Sequence, residues 1–143
     1  MNAVRRKDRN EVGSVAVEVA VIAPALVVLL LLVVFAGRVA QADGDVRRAS
    51  AAAARAASLR QDPAGAEDAA REAAAANVAA SRVVCGQLDT AVDTSRFAAG
   101  GTVAVTVRCT ASLADVSLLG VPGSRTFTSR SVAVLDRFRG GDQ

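Results

Sequence analysis

The chain of 143 residues contains no histidine, tyrosine or tryptophan, and only two cysteines and three prolines. Without histidine there is no histidine-based catalytic triad and no histidine-rich zinc site, and two cysteines cannot close a structural four-cysteine site. The serines, aspartates, glutamates and arginines that remain are not arranged as a nucleophile beside its base, so neither an enzyme nor a cofactor, metal or small-molecule substrate is implied. Four phenylalanines are the only aromatic residues. That is too few for the stacking platforms that single-strand binders interleave with basic grooves, so nucleic acid is not an expected partner. The calculated pI of 9.6 does not reverse this. Four basic and two acidic residues fall in the first eleven positions, and residues 38 to 143 hold thirteen basic and eleven acidic ones, a nearly neutral balance.

What is abundant is apolar sequence near the start. Residues 13 to 37 read GSVAVEVAVIAPALVVLLLLVVFAG, and from Val19 to Ala36 there are 18 residues without a charge. At a helical rise of 1.5 Å per residue this run spans about 27 Å, close to the hydrocarbon thickness of a bilayer. Arg5, Arg6, Lys7 and Arg9 stand just upstream. Basic residues beside a first apolar segment hold that side in the cytoplasm, which predicts a single-pass topology with the N-terminus inside and the bulk of the chain outside. Glu18 is placed near the beginning of the run. A carboxylate deep in a bilayer costs about 2.5 to 3.5 kcal/mol on insertion scales, so such a residue has a partner or a task.

Glu18 lies five residues after Gly13, and Ser14 stands between them as a potential new first residue. This spacing resembles the processing signal of type IV prepilins. The segment AVEVAVIAPALVVLLLLVVFAGR resembles the TadE-like family of pseudopilins from the Tad pilus system, through Gly13, the Ala16-Val17-Glu18 tripeptide, Pro24 and the Leu/Val run. The alanine- and arginine-rich stretch RRASAAAARAAS extends the likeness to about residue 60. The resemblance implies a leader of residues 1–13 cut after Gly13 by a prepilin peptidase, Ser14 as the mature N-terminus and Glu18 as an assembly carboxylate. It also implies partner pilin or pseudopilin subunits, in a hetero-oligomer. Ser14 departs from major pilins, which often carry a large apolar residue there. Pro24 lacks an N–H and leaves the Ala20 carbonyl without its helical donor, which predicts a kink.

The resulting fold expectation is α+β and pilin-like. A leader of residues 1–13, disordered and charged, precedes a transmembrane helix over 14–37 and its continuation as a stalk over 38–60. A helix and a small antiparallel sheet occupy 61–143. In the stalk, Val39, Ala42, Val46, Ala49, Ala53 and Ala56 recur at spacings of three and four and form a narrow seam of small side chains. Asp43 with Arg47 and Asp45 with Arg48 are expected to support its solvated face. Asp62-Pro63 marks a helix start, and a second, alanine-rich helix is expected over about Ala64 to Arg82, with Glu67, Asp68 and Glu72 in its early turns.

From Val83 the character changes to β. Val83-Val84-Cys85 is a short candidate strand and Asp89 to Gly101 reads as turn-rich. In TVAVTVRCTAS, Val103, Val105, Val107, Cys109 and Ala111 alternate with polar residues, the pattern of a half-buried strand. Leu118 to Gly123 reads as an apolar loop, Arg125 to Leu135 as the last strand and Arg139 to Gln143 as a frayed tail. Cys85 and Cys109 are either two buried thiols or a disulfide, and an oxidising compartment favours the disulfide.

Two other readings compete with a pilus subunit. Ala40-Gln41-Ala42 satisfies the small-x-small rule of a signal peptide and would place a mature start at Asp43, although an 18-residue run exceeds the usual h-region and leaves Glu18 without a role. A permanently anchored, single-span surface protein explains the apolar length but neither Gly13 nor Glu18.

Overall fold

A computed structural model describes residues 8–112 and 123–138, and gives the expected α+β class. Helix α1 spans Asp8–Ser58, helix α2 Pro63–Ala79, and three strands follow: β1 Cys85–Arg96, β2 Thr102–Ser112 and β3 Ser124–Val134. The leader positions 1–7, most of the apolar loop expected over Leu118 to Gly123, and the tail Arg139 to Gln143 lie outside the described residues. The chain divides into two units, residues 1–37 and 38–143.

The first unit is the N-terminal part of α1. The helix is already formed at Asp8, so residues 8–12, expected to be disordered, are helical, and the helix runs on through Pro24. From Val17 to Phe35 its valine and leucine side chains are exposed, Leu31 alone being half-buried. This is the one helix among the described residues long and apolar enough to cross a membrane.

The second unit is a two-layer arrangement, the C-terminal part of α1 and helix α2 on one face of an antiparallel sheet of order β1-β2-β3. The alanine seam of α1 is its inner face. Ala42, Val46, Ala49 and Ala53 are buried, and the buried column then passes from Ala56 to Ala57 because a 3.6-residue turn drifts against a strict 3-4 repeat. From α2 come Ala66, Ala70, Ala74 and Val78, and from the sheet Val103, Val105, Val107, Cys109, Ala111 and Phe127. These are small side chains for a core, so stability depends on close backbone approach more than on large buried areas.

Asp62 caps α2 as the sequence implies: its carboxylate accepts the Gly65 N–H at 2.7 Å, and Pro63 takes the first helical position. The helix ends at Ala79, short of Arg82, and its first turn holds no acid. Glu67 and Asp68 instead bind Arg71 at 2.9 and 3.3 Å.

The largest departure from expectation is β1. The stretch expected to be turn-rich from Asp89 onward is a strand as far as Arg96, while Val83 and Val84 stay outside it. Leu88, Thr90, Val92 and Thr94 alternate toward the half-buried side, and Asp89 and Asp93 point outward, where they pair with arginines instead of making turns. The turn itself is confined to the segment before β2. Gly100 adopts φ +75° there, and a Cβ on Gly101 would collide with the Arg96 carbonyl. In β3 the inward residues are Phe127, Ser129, Ser131 and Ala133, so Val132 and Val134 face outward and are exposed.

Candidate functional site

The residues singled out in the sequence fall into two groups, one in each unit. Gly13, Ser14, Glu18 and Pro24 all lie on α1. Ser14 and Glu18 are four residues apart, one turn of helix. Glu18 is exposed and no described residue pairs with it, and it stands at the head of an exposed apolar surface.

In the second unit Cys85 and Cys109 form a disulfide with a Cα–Cα distance of 5.4 Å. The pairing depends on one residue. Gln87, Leu88 and Asp89 pair regularly with Thr110, Cys109 and Arg108, but Cys85 pairs with Ala111, so Gly86 is the extra residue of a β-bulge. If Gly86 instead paired regularly with Ala111, Cys85 would fall opposite Ser112, on the outer face of the sheet. The bulge turns Cys85 onto the Cys109 side.

The outer face of the sheet carries charge. Asp89 lies 3.8 Å from Arg108, its direct cross-strand partner. Asp93 reaches Arg130 of β3 at 3.5 Å, diagonally across β2, where Asp93 stands opposite Ala104 and Arg130 opposite Thr106. Hydrogen bonds from the Ser95 hydroxyl and from its N–H, the latter at 3.1 Å, hold the Asp93 carboxyl below the ordinary carboxylate value, with Arg130 and Arg96 adding to this against a small opposing effect of burial. All these charges are solvated, so each pair contributes little to stability.

Two buried polar groups were not foreseen as such. Ser50 is fully buried on α1 and its hydroxyl meets the Arg47 carbonyl at 2.9 Å, Ser129 Oγ at 3.0 Å and Ser131 Oγ at 2.9 Å. With a single proton given to the carbonyl, Ser50 accepts from both serines, which ties α1 to β3. Asp45 was expected on the solvated face but is only 6% exposed. Its Oδ1 pairs with Arg48, and its buried Oδ2 has no partner among the described residues. The signal was present in the sequence, since Asp45 stands three residues after Ala42 and four before Ala49 and so shares the face of the alanine seam. Asp43 behaves as expected, exposed and 2.8 Å from Arg47.

Asp45 also lines a cavity of about 300 Å³ with Arg38, Gln41, Ala42, Arg82, Val83, Val84 and Ala111. Among the described residues no cluster of acidic or cysteine side chains could hold a metal ion.

Residues 13–55 match the family model of TadE-like proteins. The first helix is thus similar to TadE-like proteins. The match begins at Gly13, takes in Glu18, Pro24 and the whole uncharged run, and ends within the alanine seam, so the TadE-like segment covers the exposed apolar part of α1 and most of its packed part. No curated protein and no solved structure matches the chain. The match covers this helix and not the rest of the chain, and the same helix is long and apolar enough to cross a membrane.

Proposed function

We propose that the protein is a minor pilin or pseudopilin, a structural subunit of a Tad-type type IV pilus assembly and not an enzyme. In this reading a prepilin peptidase cuts after Gly13 on the cytoplasmic side, and the uncharged helix holds the subunit in the membrane with residues 38–143 outside. The subunit then joins other pilin-like subunits through that helix. The observation that carries the reading is Glu18, exposed and without a partner among the described residues at the head of an apolar helix surface, five residues after Gly13 in a segment that matches the TadE-like family. The ammonium freed at Ser14 of one subunit supplies a partner for the Glu18 carboxylate of its neighbour, which offsets the cost of the buried charge and fixes the register between subunits.

A cut after Ala42, the alternative of a secreted domain, would sever α1 at a residue packed in the core. That favours retention of the whole helix. Replacing Glu18→Ala tests the assembly role. The variant should enter the membrane at least as well as the parent, yet be missing from the sheared pilus or pseudopilus fraction. Normal assembly of Glu18→Ala would remove the proposed pairing.

A further inference from the structure

The cavity beside Asp45 has an unusual charge arrangement. Arg38 and Arg82 line it and make no ion pair among the described residues, and Arg48 occupies Asp45 Oδ1 from the other side. Two arginines thus share a cavity with a carboxylate already paired to a third, and the second oxygen of that carboxylate is buried without a donor among the described residues. The cationic excess calls for an anion, and the orphaned oxygen calls for an N–H donor. A bare cation would meet the second need and aggravate the first. A ligand carrying a phosphate and a primary ammonium a few bonds apart satisfies both.

The position supplies the source of such a ligand. Arg38 is two residues past Ala36, the end of the uncharged run, which is about 3 Å along a helix axis. In a helix that crosses a bilayer this is the level of the lipid headgroups. Helical side chains lean toward the N-terminal end, so the Asp45 carboxylate is directed back toward Arg38. Val83 and Val84 add apolar lining, and Val84 is exposed beside Arg82.

We propose that this cavity binds the headgroup of a primary-amine phospholipid in the membrane-held state, with its phosphate at Arg38 and Arg82 and its ammonium on Asp45 Oδ2. The proposal rests on the single-span reading above. A quaternary ammonium headgroup has no N–H to give Asp45, and a glycerol headgroup has no cation, so phosphatidylethanolamine is distinguished from both phosphatidylcholine and phosphatidylglycerol.

The test is lipid retention by the full chain in nanodiscs of equal parts phosphatidylethanolamine, phosphatidylglycerol and phosphatidylcholine, read by native mass spectrometry. Wild type should retain phosphatidylethanolamine about tenfold over either of the others, the factor expected from one charge-assisted hydrogen bond. Asp45→Asn should lose the preference for the amine lipid, whereas Arg82→Gln, on an exposed residue, should lower phosphatidylethanolamine and phosphatidylglycerol together. Retention of the three lipids in equal parts by a properly inserted wild type would overturn the proposal and leave the membrane reading intact. Failure to enter the discs would overturn both. Binding of free phosphoethanolamine without any lipid preference would overturn the lipid as the source.

Discussion

The two parts of helix α1 are built on opposite choices of side chain. From Val17 to Phe35 it presents large aliphatic groups outward, and from Ala42 to Ala57 it buries small ones against a helix and a sheet. The same backbone thus serves two environments, and residue size reports which. Where the neighbour is folded protein the seam must be small, because Ala49, Ala53 and Ala57 are completely buried. From Val17 to Phe35, where the side chains are exposed, no described residue limits their size. Exposed apolar surface of this extent marks a contact site for a membrane or another protein.

The comparison can be broken most forcefully at the disulfide, which exists only in the packed unit. Its two cysteines are 24 positions apart, and reducing it should lower stability by about 3 kcal/mol, read as a shift of the urea midpoint of the second unit's unfolding transition. An unchanged midpoint would mean that the alanine core holds without the crosslink.

A smaller effect separates the two parts of α1 directly. Ala49→Leu should cost about 1 to 3 kcal/mol by overpacking the seam. Leu30→Ala, on the exposed run, should leave the same transition where it is. Equal effects of the two substitutions would erase the distinction between the parts.

The smallest effect concerns the outer face of the sheet. Asp93 has a lowered folded-state pKa, so its contribution is fully present above the ordinary carboxylate value and is lost as pH falls through the lower folded value. Asp93→Asn should therefore lower stability slightly at pH 7, where the contribution is fully present, and change little at a pH below the folded value, which flattens part of the acid limb below about pH 4. A parallel downward shift at every pH would instead point to a structural role for Asp93 in the bulge before Arg96.

Much of this architecture was legible in the residues. The apolar run, the alanine seam, the Asp62-Pro63 helix start and the alternation of β2 each rest on local periodicity or capping chemistry, which sequence displays directly. The pairing partners of charges are not local. Asp89 and Asp93 read as turn formers because their arginine partners, Arg108 and Arg130, are brought beside them only by strand pairing. Asp45 read as solvated because the i,i+3 pair with Arg48 hid its place on the buried face. Gly86 gave no sign that it would be the bulge that turns Cys85 toward Cys109, since a register shift becomes visible only against the opposing strand. Of the candidate site, Gly13, Ser14, Glu18 and Pro24 were recognisable from spacing and resemblance, while the cavity beside Asp45 needed residues 38 to 45, 82 to 84 and 111 to be assembled.

The central claim concerns the fate of the first thirteen residues, and the N-terminus of the protein recovered from its native cell envelope tests it most directly. Sequencing should give Ser14 as the first residue, with the apolar helix still attached, and a Gly13→Leu variant should remain uncut. An N-terminus at Asp43, or an intact start in the wild-type protein, would contradict the account.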